Sequence, residues 1–129
     1  MARLSREDRV QIEICGLLDV AAVPGLIWFA VPNGGYRAKS VASILKATGV
    51  KPGVSDIVCC HAALGTGFLE IKTDARGSGL SKAQREFRAE CESKGFAYAV
   101  ARSRDEAQDI LTRWGFLRVV SIPNEKVAA

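Results

Sequence analysis

The chain has 129 residues, 48% hydrophobic and 25% charged, which is globular composition with enough apolar material for one sizeable core and excludes a disordered chain. Its formal net charge of +4 is mildly basic, which favours a polyanion partner without requiring one. No apolar run approaches the roughly 18 residues that cross a bilayer, and no basic-then-apolar leader opens the sequence. The four cysteines, at positions 15, 59, 60 and 91, lack CxxC spacing, so the expected setting is reducing: the cytoplasm, or a host's cytoplasm if the chain is viral.

In chain order, Ser5 followed by Asp8 is a helix-start signal of the capping type, and Val10, Ile14, Leu17 and Leu18 recur behind it at helical spacing. This predicts a first helix over residues 6 to 21, broken by Pro24-Gly25. Leu26 to Val31 is a short apolar run that ends at Pro32-Asn33-Gly34-Gly35 and reads as a strand and a turn. Residues 38 to 48 carry a weak helical pattern. Lys51-Pro52-Gly53 then turns the chain into a strand over 55 to 60, and Gly65-Thr66-Gly67 reads as a turn into a second strand, Phe68 to Lys72, the two forming a hairpin.

Ser81 with Gln84 three residues on opens another helix, with Phe87 and Cys91 on one stripe and Gly95 at its end. Phe96 to Ala101 reads as a strand, and Ser103 with Glu106 opens a last helix through Ile110, Leu111 and Trp114. Residues 1–129 form a single expected domain, with a core over about 5–117 and a tail over 118–129. The order αβ(α)ββαβα predicts an α/β fold, a mixed β-sheet flanked by helices.

The chemistry concentrates between Asp56 and Lys72. In a strand, side chains alternate faces, so Glu70 and Lys72 project to one side while Leu69 and Ile71 point to the other. Asp56 on the neighbouring strand joins them. Two carboxylates are ligands that a hard divalent cation prefers, and a lysine beside them can stabilise or protonate a reacting oxygen, a combination suited to phosphodiester hydrolysis. Among the acids of the first helix, Glu7 points near the centre of the apolar stripe, whereas Glu13 lies at its border; Asp8 is the third competitor.

The residues Glu7-x-x-x-Gln11, Pro32-Asn33-Gly34-Gly35, Gly49-Val50-Lys51-Pro52-Gly53-Val54-Ser55-Asp56, Glu70-Ile71-Lys72 and Leu80-Ser81-Lys82-Ala83-Gln84 together resemble the virus-type replication-repair nuclease (VRR-NUC) domain of the PD-(D/E)xK nuclease superfamily. The likeness runs from about Ser5 to Trp114. It implies a restriction-endonuclease-like fold and Mg²⁺- or Mn²⁺-dependent cleavage of DNA in replication, recombination or repair. Stand-alone members resemble Holliday-junction resolvases that act as homodimers, which makes a four-way junction the implied DNA. Carried over, Asp56 and Glu70 match the metal-binding acids, the carbonyl of Ile71 the third protein ligand, Lys72 the superfamily lysine and Gln84 the glutamine of the following helix. Ser55 stands where some relatives carry proline.

Each feature has a plainer reading. An E-x-K triplet alone is usually a solvated strand face, Gln84 is also the N3 member of a capping box, and Glu7 also complements a helix dipole. Cys59-Cys60-His61 invites zinc, but adjacent strand residues face opposite ways and no second ligand pair is spaced to complete the shell, so core packing without zinc is expected. His61 as a general base is set against an incidental role. Asn33, Arg37 and Lys39 could meet phosphates or form a solvated turn, and Lys46, Lys51, Arg76, Lys82 and Arg85 could extend a basic rim around the acids. Trp28, Phe29, Phe116 and Leu117 could belong to a dimer interface or to the core. A catalytically silent DNA-binding subunit, a flap- or end-directed nuclease and an enzyme acting on a small phosphorylated molecule remain as alternatives, the last without a P-loop to support it.

Overall fold

A computed structural model describes residues 3–32, 39–73 and 79–118. Eight elements follow in order: α1 (Arg6–Ala21), β1 (Ile27–Ala30), α2 (Lys39–Ala47), β2 (Ile57–His61), β3 (Gly65–Ile71), α3 (Lys82–Ser93), β4 (Ala97–Ala101) and α4 (Arg104–Arg113). The strands lie side by side as β1-β2-β3-β4. The first two pairings are antiparallel, and β4 runs parallel to β3. A parallel neighbour requires a crossover, and α3 supplies it. The sheet is mixed and the helices flank it, as the sequence order predicts.

Local chemistry explains the boundaries. Ser5 and Asp8 form a reciprocal capping box at α1, and Ser81 and Gln84 form another at α3. Ser103 accepts the Glu106 N–H at the start of α4. Each cap satisfies main-chain donors that the first turn leaves without a helical partner, and is worth about 1 kcal/mol. Leu69 and Ile71 of β3 bury against Ile14 and Leu18 of α1 and Ala107, Ile110 and Leu111 of α4, with Ile57, Cys59, Ala101, Phe116 and Leu117 completing this core. Fully burying an aliphatic side chain of this size contributes about 1.5–3 kcal/mol, so this layer carries most of the stability.

The opposite face of β3 carries Phe68 and Glu70 and is covered by α3. Phe87 packs edge-on against Phe68 with ring centroids 5.2 Å apart, and Arg88 lies 5.3 Å over the Tyr98 ring. One expectation fails here. Gly65-Thr66-Gly67 is not a turn but the start of β3, and the turn is Ala62 to Leu64. Gly67 is glycine because Trp114 occupies its side-chain space: an added Cβ would lie 2.7 Å from the indole ring. Its absent side chain is a packing requirement of a strand and not a turn signal.

His61 is structural. Its Nδ1 accepts the N–H groups of Ala63 and Leu64 at 3.1 and 3.2 Å, which leaves Nε2 as the donor to the Pro24 carbonyl at 3.1 Å. The ring clips the β2-β3 turn to the loop before β1. Cys59 is buried and Cys60 half-buried on the other face of β2, and both are free thiols. Trp28, Phe116 and Leu117 belong to the core, whereas Phe29 is 48% exposed. No helix among the described residues is long and apolar enough to cross a membrane.

Candidate active site

The antiparallel register of β2 and β3 pairs Ile57 with Leu69, so one step earlier on β2 and one later on β3 Asp56 stands opposite Glu70. Asp56 is fixed at the mouth of β2 by its own strand edges. Its Oδ2 accepts the Ile71 N–H at 2.7 Å, while its carbonyl accepts the Val31 N–H at 2.9 Å. In an extended residue the N–H and C=O point to the same edge, so the Ile71 carbonyl is aimed to the side of β3 where Asp56 lies. The backbone thus presents a third oxygen beside the two acids.

Glu70 is only 3% exposed. Its Oε2 accepts a hydrogen bond from Gln84 Nε2 at 3.1 Å, and its Oε1 is buried with no donor among the described residues other than a proton shared with the Asp56 carboxyl. Gln84 does two things at once: its Oε1 accepts the Ser81 N–H at 2.8 Å, closing the capping box, and its amide holds the acid. Burial, the Asp56 charge and contact with the Asp56 carboxyl push Glu70 up to about 8, with the Lys72 charge opposing them. Asp56 is raised as well, chiefly by burial, against the Ile71 N–H, which favours its charged form. Two crowded carboxyls with an orphaned oxygen leave unmet demand for positive charge.

That donor set suits a hard divalent cation: two carboxylates and a carbonyl, all oxygen, around an unsatisfied buried atom. Among the described residues no group of three or more His, Cys, Asp or Glu side chains gathers to hold a metal, so side-chain ligation from these elements stops at two acids. Lys72 is half-buried on the strand end next to them. Its charge acts on both carboxyls, and it makes no salt bridge among the described residues.

Glu7 enters from α1. Its side chain is exposed, yet Oε2 accepts the Thr73 N–H at 3.3 Å and it lines a cleft of about 280 Å³ with Ser5, Asp8, Gln11, Val31, Pro32, Asp56 and Ile71. Its charge also raises both acids. Of the three competing acids of α1, Asp8 is committed to the capping box and Glu13 is exposed away from this cleft, leaving Glu7. Gln11, Val31 and Thr73 are contributions that strand and helix patterns do not isolate, because each takes its place only when α1 folds over the sheet end.

Gly53 supports the site from below. Its φ is +80°, and a Cβ there would lie 2.3 Å from the Ala83 carbonyl oxygen and 2.8 Å from the Gln84 nitrogen. The 51–54 turn therefore rests directly on the first turn of α3, where Gln84 begins. Lys51, Lys82 and Arg85 are exposed near that helix start; Arg85 donates to the Leu80 carbonyl at 2.7 Å, and Lys82 makes a loose ion pair with Glu86 at 3.9 Å. Lys46 is exposed at the end of α2. Asn33, Arg37 and Arg76 lie outside the described residues, as does the side chain of Lys39.

No family model matches the chain, and no curated protein matches it. Among solved structures, one described as "VRR_NUC domain protein" superposes with a TM-score of 0.68 at 21% identity, covering 87% of this chain and 89% of that one. Another, described as "VRR_NUC domain", gives a TM-score of 0.58 at 16% identity over 84% of this chain and 97% of that one. The fold is that of the VRR-NUC domain, restriction-endonuclease-like, as the sequence motifs imply.

Proposed function

We propose that this chain is a divalent-cation-dependent deoxyribonuclease that hydrolyses phosphodiester bonds. The observation that supports it is the pairing of half-buried Asp56 with buried Glu70, both raised in pKa, with Glu70 Oε1 lacking a hydrogen-bond donor among the described residues on the side toward which Ile71 aims its carbonyl. Asp56, Glu70 and the Ile71 carbonyl would hold Mg²⁺ or Mn²⁺. Such an ion, when bound, supplies charge neutralisation at the scissile phosphate and an activated water.

The chain's own groups do the rest. Gln84 orients Glu70 and keeps its Oε2 engaged, so Oε1 is the oxygen left for a cation. Lys72, beside the acids and in no salt bridge among the described residues, would offer an ammonium to the charge that builds on the phosphate oxygens in the transition state; a preorganised donor of this kind is worth about 3 kcal/mol. Glu7 at the rim of the cleft orients water through its free carboxylate oxygen. The exposed Lys51 and Lys82, with Asn33, Arg37, Lys39 and Arg76, would contact the DNA backbone, because carboxylates alone repel a polyanion.

The finer reading is a homodimer that cuts branched DNA, a four-way junction above all, in replication, recombination or repair in the cytoplasm. One chain carries one acid pair, and symmetric incision of two strands needs two. The test is a panel of labelled junction, flap, duplex and single strand with Mg²⁺, Mn²⁺ or chelator. Cation-dependent paired cuts on the junction that vanish in Asp56→Asn support the whole reading, flap- or end-directed cuts remove the junction assignment, and full activity of Asp56→Asn overturns the site.

A further inference from the structure

A second recess opens beside the acid pair on the same face of the sheet. Asp56 and Glu70 stand opposite each other, and two residues further into the strands Val58 and Phe68 form the next cross-strand pair on that face. Successive same-face positions of a strand lie about 7 Å apart. Over Val58 and Phe68 is a groove of about 320 Å³ walled by Val31, Val50, Val54 and Phe87. Val31 also lines the cleft that holds Asp56 and Glu7, so the two spaces share a wall. Phe68 has strands on both sides and Phe87 against its ring, yet it stays half-buried because the groove opens above it.

The chemistry of this groove is narrow. Its floor and walls are aliphatic and aromatic, the Ser55 hydroxyl donates to the Ile57 carbonyl at 3.2 Å, and Lys51 is the one charged side chain of the lining among the described residues. A peptide strand finds no main-chain partner here, because β2 and β3 are interior strands with neighbours on both edges. At the low end of the roughly 300–1,000 Å³ of ligand pockets, the space suits one flat ring system. A planar group carried on an anionic backbone matches it: the ring lies among Val58, Phe68 and Phe87, and the charge meets Lys51 on one side and the cation site of the acids on the other.

We propose that this groove receives one unpaired nucleobase of the DNA strand whose neighbouring phosphate lies at Asp56 and Glu70. The step of about 7 Å from the acid row to the Val58-Phe68 row is a distance that a single sugar bridges between its phosphate and its base. A base inside a duplex is stacked and turned toward its complement, so entering the groove costs its pairing and stacking; a base at a flap, bulge or branch point is already free of both. The lining aims no amide or carboxylate at a base edge, so any base is accepted and the selection is for the unpaired state and not for sequence. This names the substrate feature of the function proposed above, and rests on that reading for the phosphate at the acid pair.

The test is equilibrium binding of the full chain, in chelator and in Ca²⁺, to fluorescein-labelled duplexes of one sequence that carry either one unpaired thymidine or an abasic residue at the same point. The two share backbone and shape, so a difference between them reports the base alone. The unpaired thymidine should bind at least about tenfold more tightly than the abasic residue, within the range that stacking of one base supplies, and deoxyadenosine in its place should do the same. Val50→Asn and Val58→Thr put polar groups into the groove without changing its charge, and each should reduce that ratio at least about threefold with unchanged circular dichroism. Equal binding of the unpaired and abasic DNA, or a ratio that both variants leave intact, overturns the proposal and leaves the groove to an apolar side chain of a protein partner. Base preference without cleavage in Mg²⁺ or Mn²⁺ counts against the nuclease reading alone, cleavage without base preference overturns the groove assignment alone, and no DNA binding in either condition overturns both.

Discussion

Gln84 of α3 donates its amide to Glu70 of β3 at 3.1 Å while the same side chain accepts the Ser81 N–H that starts its own helix. Capping and acid positioning are therefore one rotamer. Gln84→Ala should lose both, lowering stability by about 1 kcal/mol through the cap alone and reducing cleavage. Gln84→Glu keeps an N3 acceptor and replaces the donor to Glu70 with a third carboxylate. Cleavage should fall while the helix start survives, measured as kcat against the thermal midpoint at pH 5.

Because Glu70 is raised from its ordinary 4.5 to about 8 in the folded protein, the folded state holds a proton that the unfolded chain releases. Metal-free stability should be full below about pH 4.5 and decline as the pH climbs toward about 8. Thermal melts across that window check it. Glu70→Gln, which mimics the protonated acid, should flatten the decline. Mg²⁺ at pH 8 should raise the midpoint of wild type and not of Glu70→Gln, since a cation favours the ionised pair. A metal-free midpoint that rises with pH would contradict the assignment.

Asp56→Asn and Asp56→Ala should separate chemistry from architecture. Asparagine retains an oxygen for the Ile71 N–H and should fold with a midpoint close to wild type. Alanine strands that donor at a partly buried site, at a cost of about 1–3 kcal/mol. Cleavage should fall in both by more than the roughly 10–100-fold that follows loss of an outer partner of a metal ligand. Calorimetry and single-turnover cleavage on the same preparations give the two numbers.

Lys72→Met removes the ammonium and keeps the stem. It should lower kcat by about 10²–10³-fold, the range for loss of one preorganised donor, with little change in substrate binding. Since the Lys72 charge lowers the carboxyl pKa values, the decline of metal-free stability should also move to higher pH in this variant.

Gly53→Ala tests the support beneath Gln84. A Cβ 2.3 Å from a main-chain oxygen, at a φ of +80°, requires the 51–54 turn and α3 to separate. The thermal midpoint and cleavage should both fall. In combination with Gln84→Ala, the further loss of cleavage should be smaller than Gly53→Ala causes alone, because the two act through one contact.

Much of this was legible in the sequence because it is local. Ser5 with Asp8 and the stripe behind them delimit α1 at residues 6 and 21, where the structure has it, and Ser81 with Gln84 places the start of α3. Asp56 and Glu70 are readable as partners since a hairpin register brings them opposite each other. Gly65 to Gly67 misled because a glycine that yields space to Trp114, far along the chain, looks the same as one that bends it. Gln84 offered two readings, a cap and a site residue. Its geometry makes both contacts, which a periodicity argument treats as alternatives. The exposure of Phe29 beside a half-buried Trp28 follows from β1 being last in the sheet, a property of strand order that no local pattern carries.

The bonds that build the cleft span very different lengths of chain. Asp56 to Ile71 closes over 15 residues and Gln84 to Glu70 over 14, whereas Glu7 reaches Thr73 over 66. Closing the longer loop costs roughly 1 kcal/mol more in chain entropy, for a 3.3 Å bond on an exposed side chain. The acid pair is thus the durable half of the cleft and the Glu7–Thr73 contact at the start of α1 the half that opens first. Amide exchange at Thr73 should outpace that at Ile71, and a chain warmed toward unfolding should lose its Glu7 wall while Asp56 and Glu70 still face each other.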